Sequence, residues 1–315
     1  MILNTGSRTD IPAYYSEWFF NRIREGYVLV RNPYYPAQVT KYFLNPEVID
    51  VMVFCTKNPL PMLDKSSVLE TVLSGFDTFW FVTITPYETD IEPFVPEKEQ
   101  VMDSFQRLSK MTGKQRISWR YDPIFITEKY SVDYHIKQFS TMSKFLSAYT
   151  SQCVVSFIDL YEKTKKNFRN IRSVTRQEQE QLITAFSEIA KENEMQIHLC
   201  CENVELTRQN VDADGCMSKS VLEKALGCKL DVPQKKMARK ECSCLLGADI
   251  GVYNTCGHGC LYCYANYDRT IVISNMKNHN PLSPFLIGGP RQDDIVKEAV
   301  QKSWKNRQLD VFDFI

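Results

Sequence analysis

The chain has 315 residues, 43% of them hydrophobic and 12% aromatic, which is enough to bury a large core and argues against disorder; one big domain, or one with a small appendage, is expected. Lysine plus arginine and aspartate plus glutamate come to 38 each, which removes any global field for nucleic acid or a membrane surface. The chain does not open on a basic segment followed by an apolar run, and no apolar stretch approaches a membrane span, so a cytoplasmic protein with no membrane partner is expected.

From the N-terminus, short β-branched or aromatic runs alternate with longer helix-like stretches, the pattern of βα units. Strands are predicted at Ile2 to Thr5, Val28 to Arg31, Ile49 to Cys55, Thr78 to Thr85, Arg116 to Tyr121, Cys153 to Ile158 and Met195 to Cys201, with an eighth at Asp249 to Tyr253. The stretch VRNPYYPAQVTKYF, 30–43, breaks this rhythm with its prolines and reads as a hairpin insertion. Three sets recur at helical spacing and mark buried faces: Val101, Phe105 and Leu108; Val132, Ile136 and Phe139; Leu182, Phe186 and Ile189. Thr175 followed by Glu178 is the capping box of the third. Ile295, Val296, Val300 and Trp304 predict a final helix packed on the outside.

Polar residues follow the predicted strands repeatedly. Arg8 and Asp10 come after the first, Lys57 and Asn58 after the third, Thr85 and Tyr87 after the fourth, and Arg120 and Asp122 stand at the fifth. Asp159, then Glu202 and Asn203, continue the series. Strand ends are polar in any sheet, but charge at so many successive ends points to a site, and a (β/α) barrel, TIM-type or partial, would gather these residues at one mouth.

Eleven cysteines in a chain of this length and expected compartment favour metal or redox chemistry over disulfides. Cys55 and Cys153 stand alone, while nine fall between Cys200 and Cys263. Cys256, Cys260 and Cys263 form CxxxCxxC; three thiolates on a short loop can grip three corners of a [4Fe–4S] cluster and leave the fourth iron open to a cofactor. The competing reading is a zinc knuckle with His258 or another residue as fourth ligand, in a barrel that binds a ligand or nucleic acid without radical chemistry; the missing second CxxC pair counts against it.

CxxxCxxC with Tyr262 before the last cysteine resembles the signature of radical S-adenosylmethionine (SAM) enzymes, and CGHGCLYCYAN is similar to the version in the spore-photoproduct-lyase-like branch. SRTDIP (7–12), TKNP (56–59), RYDP (120–123) and DIGVYNTCGHGCLYCYAN (249–266) together resemble an uncharacterised domain family, DUF1848. The resemblance implies an α/β fold that is a circularly permuted radical-SAM-like barrel: residues 1–205 as its body, and residues 206–315 as a cysteine-rich segment that completes it. It implies reductive cleavage of SAM to a 5′-deoxyadenosyl radical acting on an unidentified small molecule or nucleic acid, with flavodoxin or ferredoxin as electron donor. Under that reading Arg120, Asp122, Glu202, Tyr262 and Tyr264 contact SAM, and Arg8, Asp10, Lys57 and Asn58 remain for substrate. It also implies a second group, Cys200, Cys216, Cys242 and Cys244, holding an auxiliary [4Fe–4S] cluster or a zinc ion. Basic runs at Lys163 to Arg172 and Lys235 to Lys240 could meet phosphate, although solvated loops are the commoner outcome.

Overall fold

The computed structural model of the chain describes residues 1–168, 171–233, 242, 244–245 and 247–306. Among these the strands are β1 (Ile2–Asn4), β2 (Tyr27–Arg31), β3 (Gln38–Phe43), β4 (Val51–Thr56), β5 (Thr78–Thr83), β6 (Ile117–Ile124), β7 (Gln152–Phe157), β8 (Gln196–Leu199), β9 (Val211–Asp212), β10 (Ala248–Asp249) and β11 (Ile295–Glu298). The helices are α1 (Ile11–Tyr14), α2 (Ser16–Glu25), α3 (Leu60–Leu63), α4 (Ser66–Gly75), α5 (Lys98–Thr112), α6 (Val132–Leu146), α7 (Glu162–Asn167), α8 (Arg176–Glu192), α9 (Lys219–Leu226) and α10 (Arg269–Lys277).

Eight strands form one parallel sheet in the order β10-β1-β4-β5-β6-β7-β8-β9. The arrangement is barrel-like, but among the described residues no pairing joins β9 to β10. Each of those strands is only two residues long, too short a ladder to close a ring. Late in the chain though it is, β10 lies beside β1, with Leu3 opposite Ala248 and Asn4 opposite Asp249.

Alternation sorts the side chains into two layers. Leu3, Met52, Phe54, Trp80, Val82 and Trp119 point to the helix-covered face, where Phe54 stacks on Trp80 at 4.0 Å and Phe139 of α6 stacks on Phe186 of α8 at 3.9 Å. Ile2, Val51, Val53, Phe79, Phe81 and Val154 point the other way and are covered by α9 and Trp304. The three helical faces expected from periodicity lie in α5, α6 and α8, and Thr175 and Glu178 form the capping box.

Two expectations are corrected. Val28 to Arg31 is a strand but belongs to a second sheet: β2 pairs antiparallel with β3, as a hairpin does, and β9 supplies the eighth strand of the main sheet instead. The final helix is absent; Ile295–Glu298 is β11, parallel to β3, and Ile295, Val296 and Val300 are exposed. β-branched residues beside an unpaired strand edge favour extension, and of the four only Trp304 finds a core to enter.

Candidate functional site

The face that carries Ile2, Val53, Phe81 and Val154 continues toward the C-terminal strand ends as Asn4, Cys55, Thr83 and Ser156. Joined by Arg120 and Asp122 of β6, these line a cavity of about 710 Å³. The loop after β10 brings Cys256, Cys260 and Cys263 to the same wall, and Cys200, Cys216, Cys242 and Cys244 line it as well. None of the eleven cysteines is in a disulfide.

The CxxxCxxC loop is held by residues from the opposite end of the sequence. Asp10 caps α1 by accepting from the Ala13 N–H (3.0 Å), accepts the Lys57 N–H (2.8 Å) and takes a third bond from His258 Nε2 (2.9 Å). His258 Nδ1 lies 3.1 Å from the Tyr14 hydroxyl and 3.3 Å from the Phe94 carbonyl. Both nitrogens of this buried ring are engaged by protein groups. Tyr15 Oη donates to the Thr255 carbonyl at 2.6 Å. A Cβ on Gly257 would stand 2.8 Å from the Tyr14 ring, so only glycine permits this approach.

Burial raises the Cys256 thiol well above its ordinary range, with Asp10 and the other two thiols adding to it. Burial also pushes Cys260 up to about 12, against the lowering effect of Lys57. Half-buried thiols that repel one another as thiolates, beside a lysine, are a donor set that a cationic iron–sulfur core would neutralise. Among the described residues no three His, Cys, Asp or Glu side chains already surround a common metal position. The fit of the trio therefore rests on donor chemistry and on the shared wall.

Lys57 lines the cavity and its Nζ donates to Glu92 Oε1 at 2.8 Å. Glu92 is the residue that sequence reasoning missed. Buried, it also accepts from Lys98 (2.7 Å), Thr85 (2.6 Å) and the Tyr262 hydroxyl. Burial alone would raise its carboxyl, but Lys57 and Lys98 outweigh that and hold it down at about 2. Its one advance signal was an acidic residue shortly after a predicted strand.

The remaining candidates divide. Arg120 and Asp122 line the cavity but pair with each other, Nε to Oδ2 at 2.9 Å, and Arg120 Nη1 lies 3.9 Å from Cys216 Sγ, on the side of the second cysteine group. Asp122 also accepts from Ser156. Arg8 donates to Asp249 Oδ2 at 3.1 Å. Tyr264 lines the wall with its hydroxyl on the Ser7 carbonyl (2.5 Å). Asn58 Oδ1 instead accepts the Leu60 N–H (3.2 Å) in the turn that leads into α3. Glu202 accepts the Phe157 N–H at 2.7 Å, and burial pushes its carboxyl up to about 8 despite that bond; neither Asn58 nor Glu202 is on the cavity wall.

Of the basic runs, Lys165 pairs with Glu162 and Arg172 with Glu178, while 169–170 and 235–240 lie outside the described residues. Among the described residues no helix is long and apolar enough to cross a membrane.

No curated protein and no solved structure matches the chain. The region that holds the strands of the main sheet, both cysteine groups and every wall of the cavity is also the region a family describes: by the match over residues 2–265, the chain belongs to DUF1848, a domain of unknown function.

Proposed function

We propose that the protein is a radical SAM enzyme that binds a [4Fe–4S] cluster through Cys256, Cys260 and Cys263 and acts on a substrate admitted to the cavity at the strand ends. The observation that carries this reading is the convergence of three half-buried thiols from one loop with Lys57, Arg120 and Asp122 on one cavity wall. When bound, cluster and SAM together supply one-electron cleavage of a C–S bond and, through it, hydrogen abstraction from carbon.

The chain's own residues bind, orient and shield. Asp10, His258 and Tyr14 fix the loop, so the thiols are presented without a search over conformations. Lys57, steadied by Glu92, offsets thiolate charge beside Cys260. Tyr264 offers an aromatic face on the wall for a nucleobase, and Arg120, with its guanidinium fork, is the cavity cation suited to a carboxylate. An external donor of the flavodoxin or ferredoxin class would deliver the electron, and substrate, small molecule or nucleic acid, is left to the assay.

Protein reconstituted without oxygen and incubated with SAM and dithionite tests the reading. We expect about four iron atoms per chain at this loop, formation of 5′-deoxyadenosine, and loss of both in Cys260→Ala. A colourless protein that leaves SAM intact would overturn it.

A further inference from the structure

The second group of cysteines has a geometry of its own. Cys200 Sγ lies 3.7 Å from Cys216 Sγ, and Cys216 Sγ lies 3.6 Å from Cys244 Sγ. Cys201 is the residue next to Cys200 and lines the same cavity as Cys200, Cys216 and Cys244. Three thiols are thus in sulfur-to-sulfur contact where β8 ends, with Cys201 adjoining them in the chain, although among the described residues no such group yet surrounds a common point. Two thiolates on one tetrahedral zinc stand about 3.8 Å apart, since each Zn–S bond is about 2.3 Å. A cubane sets its thiolates on separate irons and holds them well beyond contact.

Two further observations concern the same place. Cys201 has φ +60°, a left-handed conformation that is costly for a residue with a side chain, and it turns the chain just where two adjacent cysteines line the cavity. The Met217 N–H donates to Cys244 Sγ at 3.3 Å and Arg120 Nη1 reaches Cys216 Sγ at 3.9 Å, so donors that stabilise thiolates are already aimed at the sulfurs.

We propose that Cys200, Cys201, Cys216 and Cys244 hold one tetrahedral, thiolate-preferring divalent ion, zinc in the cell, as a staple rather than a second iron–sulfur cluster. Cys201 takes the place that the family resemblance implied for Cys242. Four protein thiolates leave no open position, the mark of a structural site. The ion ties the end of β8, the turn before α9 and residue 244 together. Four residues past Cys244 the chain enters β10, the strand beside β1 that leads into the CxxxCxxC loop. The staple therefore orders the path by which that loop reaches the cavity.

This inference does not rest on the proposed cluster chemistry, and its test removes that chemistry first. In the full-length chain with Cys256, Cys260 and Cys263 all changed to alanine, cobalt(II) added under reducing conditions should bind one per chain with the intense absorption of a tetrahedral thiolate site. Zinc should displace it and protect four cysteines from alkylation, located by mass spectrometry. The absorption should be lost in Cys216→Ser and Cys201→Ser and kept in Cys242→Ser, with far-UV circular dichroism confirming that each variant is folded. Absence of cobalt binding in the folded triple variant would overturn the proposal. So would loss of binding in Cys242→Ser with retention in Cys201→Ser, or a wild-type protein carrying about eight irons and no zinc.

Discussion

His135 shows how one buried residue writes a pH dependence into the fold. Its Nε2 donates to the Phe125 carbonyl (3.0 Å) and its Nδ1 accepts from Tyr121 (2.9 Å), with no exposure to water. Burial lowers its pKa from the ordinary 6.5 to about 4, despite the help of the carbonyl. The folded state thus binds this proton less readily than the unfolded chain, so stability is full above pH 6.5 and falls as pH drops from there to about 4. Urea titrations across that window should show a steeper loss in the wild type than in His135→Gln; parallel slopes would refute the assignment. Asp10 is the corresponding residue at the site. Asp10→Ala removes a helix cap and leaves the Lys57 N–H and His258 Nε2 unpartnered, with an expected cost of about 2 kcal/mol and reduced iron retention. Unchanged values of both would remove Asp10 from its bracing role. From sequence Asp10 read as substrate-binding because a charged residue after a strand looks the same whether it faces a ligand or another loop.

Among the elements, those built on local pattern were legible and those built on distant partners were not. α8 was visible in both its apolar spacing and its capping box, and Thr175→Ala should cost about 1 kcal/mol in chemical denaturation, without effect on metal content. Phe139→Ala opens the stack between α6 and α8 and should cost about 3–5 kcal/mol, a loss a surface position would not show. β11 illustrates the other case. Four apolar residues at helical spacing meant nothing once the edge of β3 was there to pair with, an edge more than two hundred residues away in the chain. Val300→Asp should accordingly be nearly neutral, because the side chain is fully exposed, whereas Trp304→Ala should cost about 3 kcal/mol. Equal costs for the two, measured by urea denaturation, would restore the helical reading.

At the scale of the whole molecule the join between β10 and β1 decides the site. A Cβ on Gly247 would come 2.3 Å from the Ile2 carbonyl oxygen, a backbone atom that cannot step aside. Gly247→Ala should therefore disturb the pairing that carries the CxxxCxxC loop, costing on the order of 2 kcal/mol and lowering bound iron although no ligand is changed. A variant with wild-type melting temperature and iron content would refute this long-range coupling. The sequence by itself determined the alternation of strands and helices, the three helical faces and the crowding of nine cysteines between Cys200 and Cys263, because periodicity and spacing are local properties of a chain. Only the tertiary structure decided that Glu92 anchors Lys57, that Asp10 holds His258, that Cys200, Cys216 and Cys244 meet sulfur to sulfur, and that both groups face one cavity. Those facts depend on which strand lies beside which. That order is set by the burial of two sheet faces at once, which no single stretch of sequence contains.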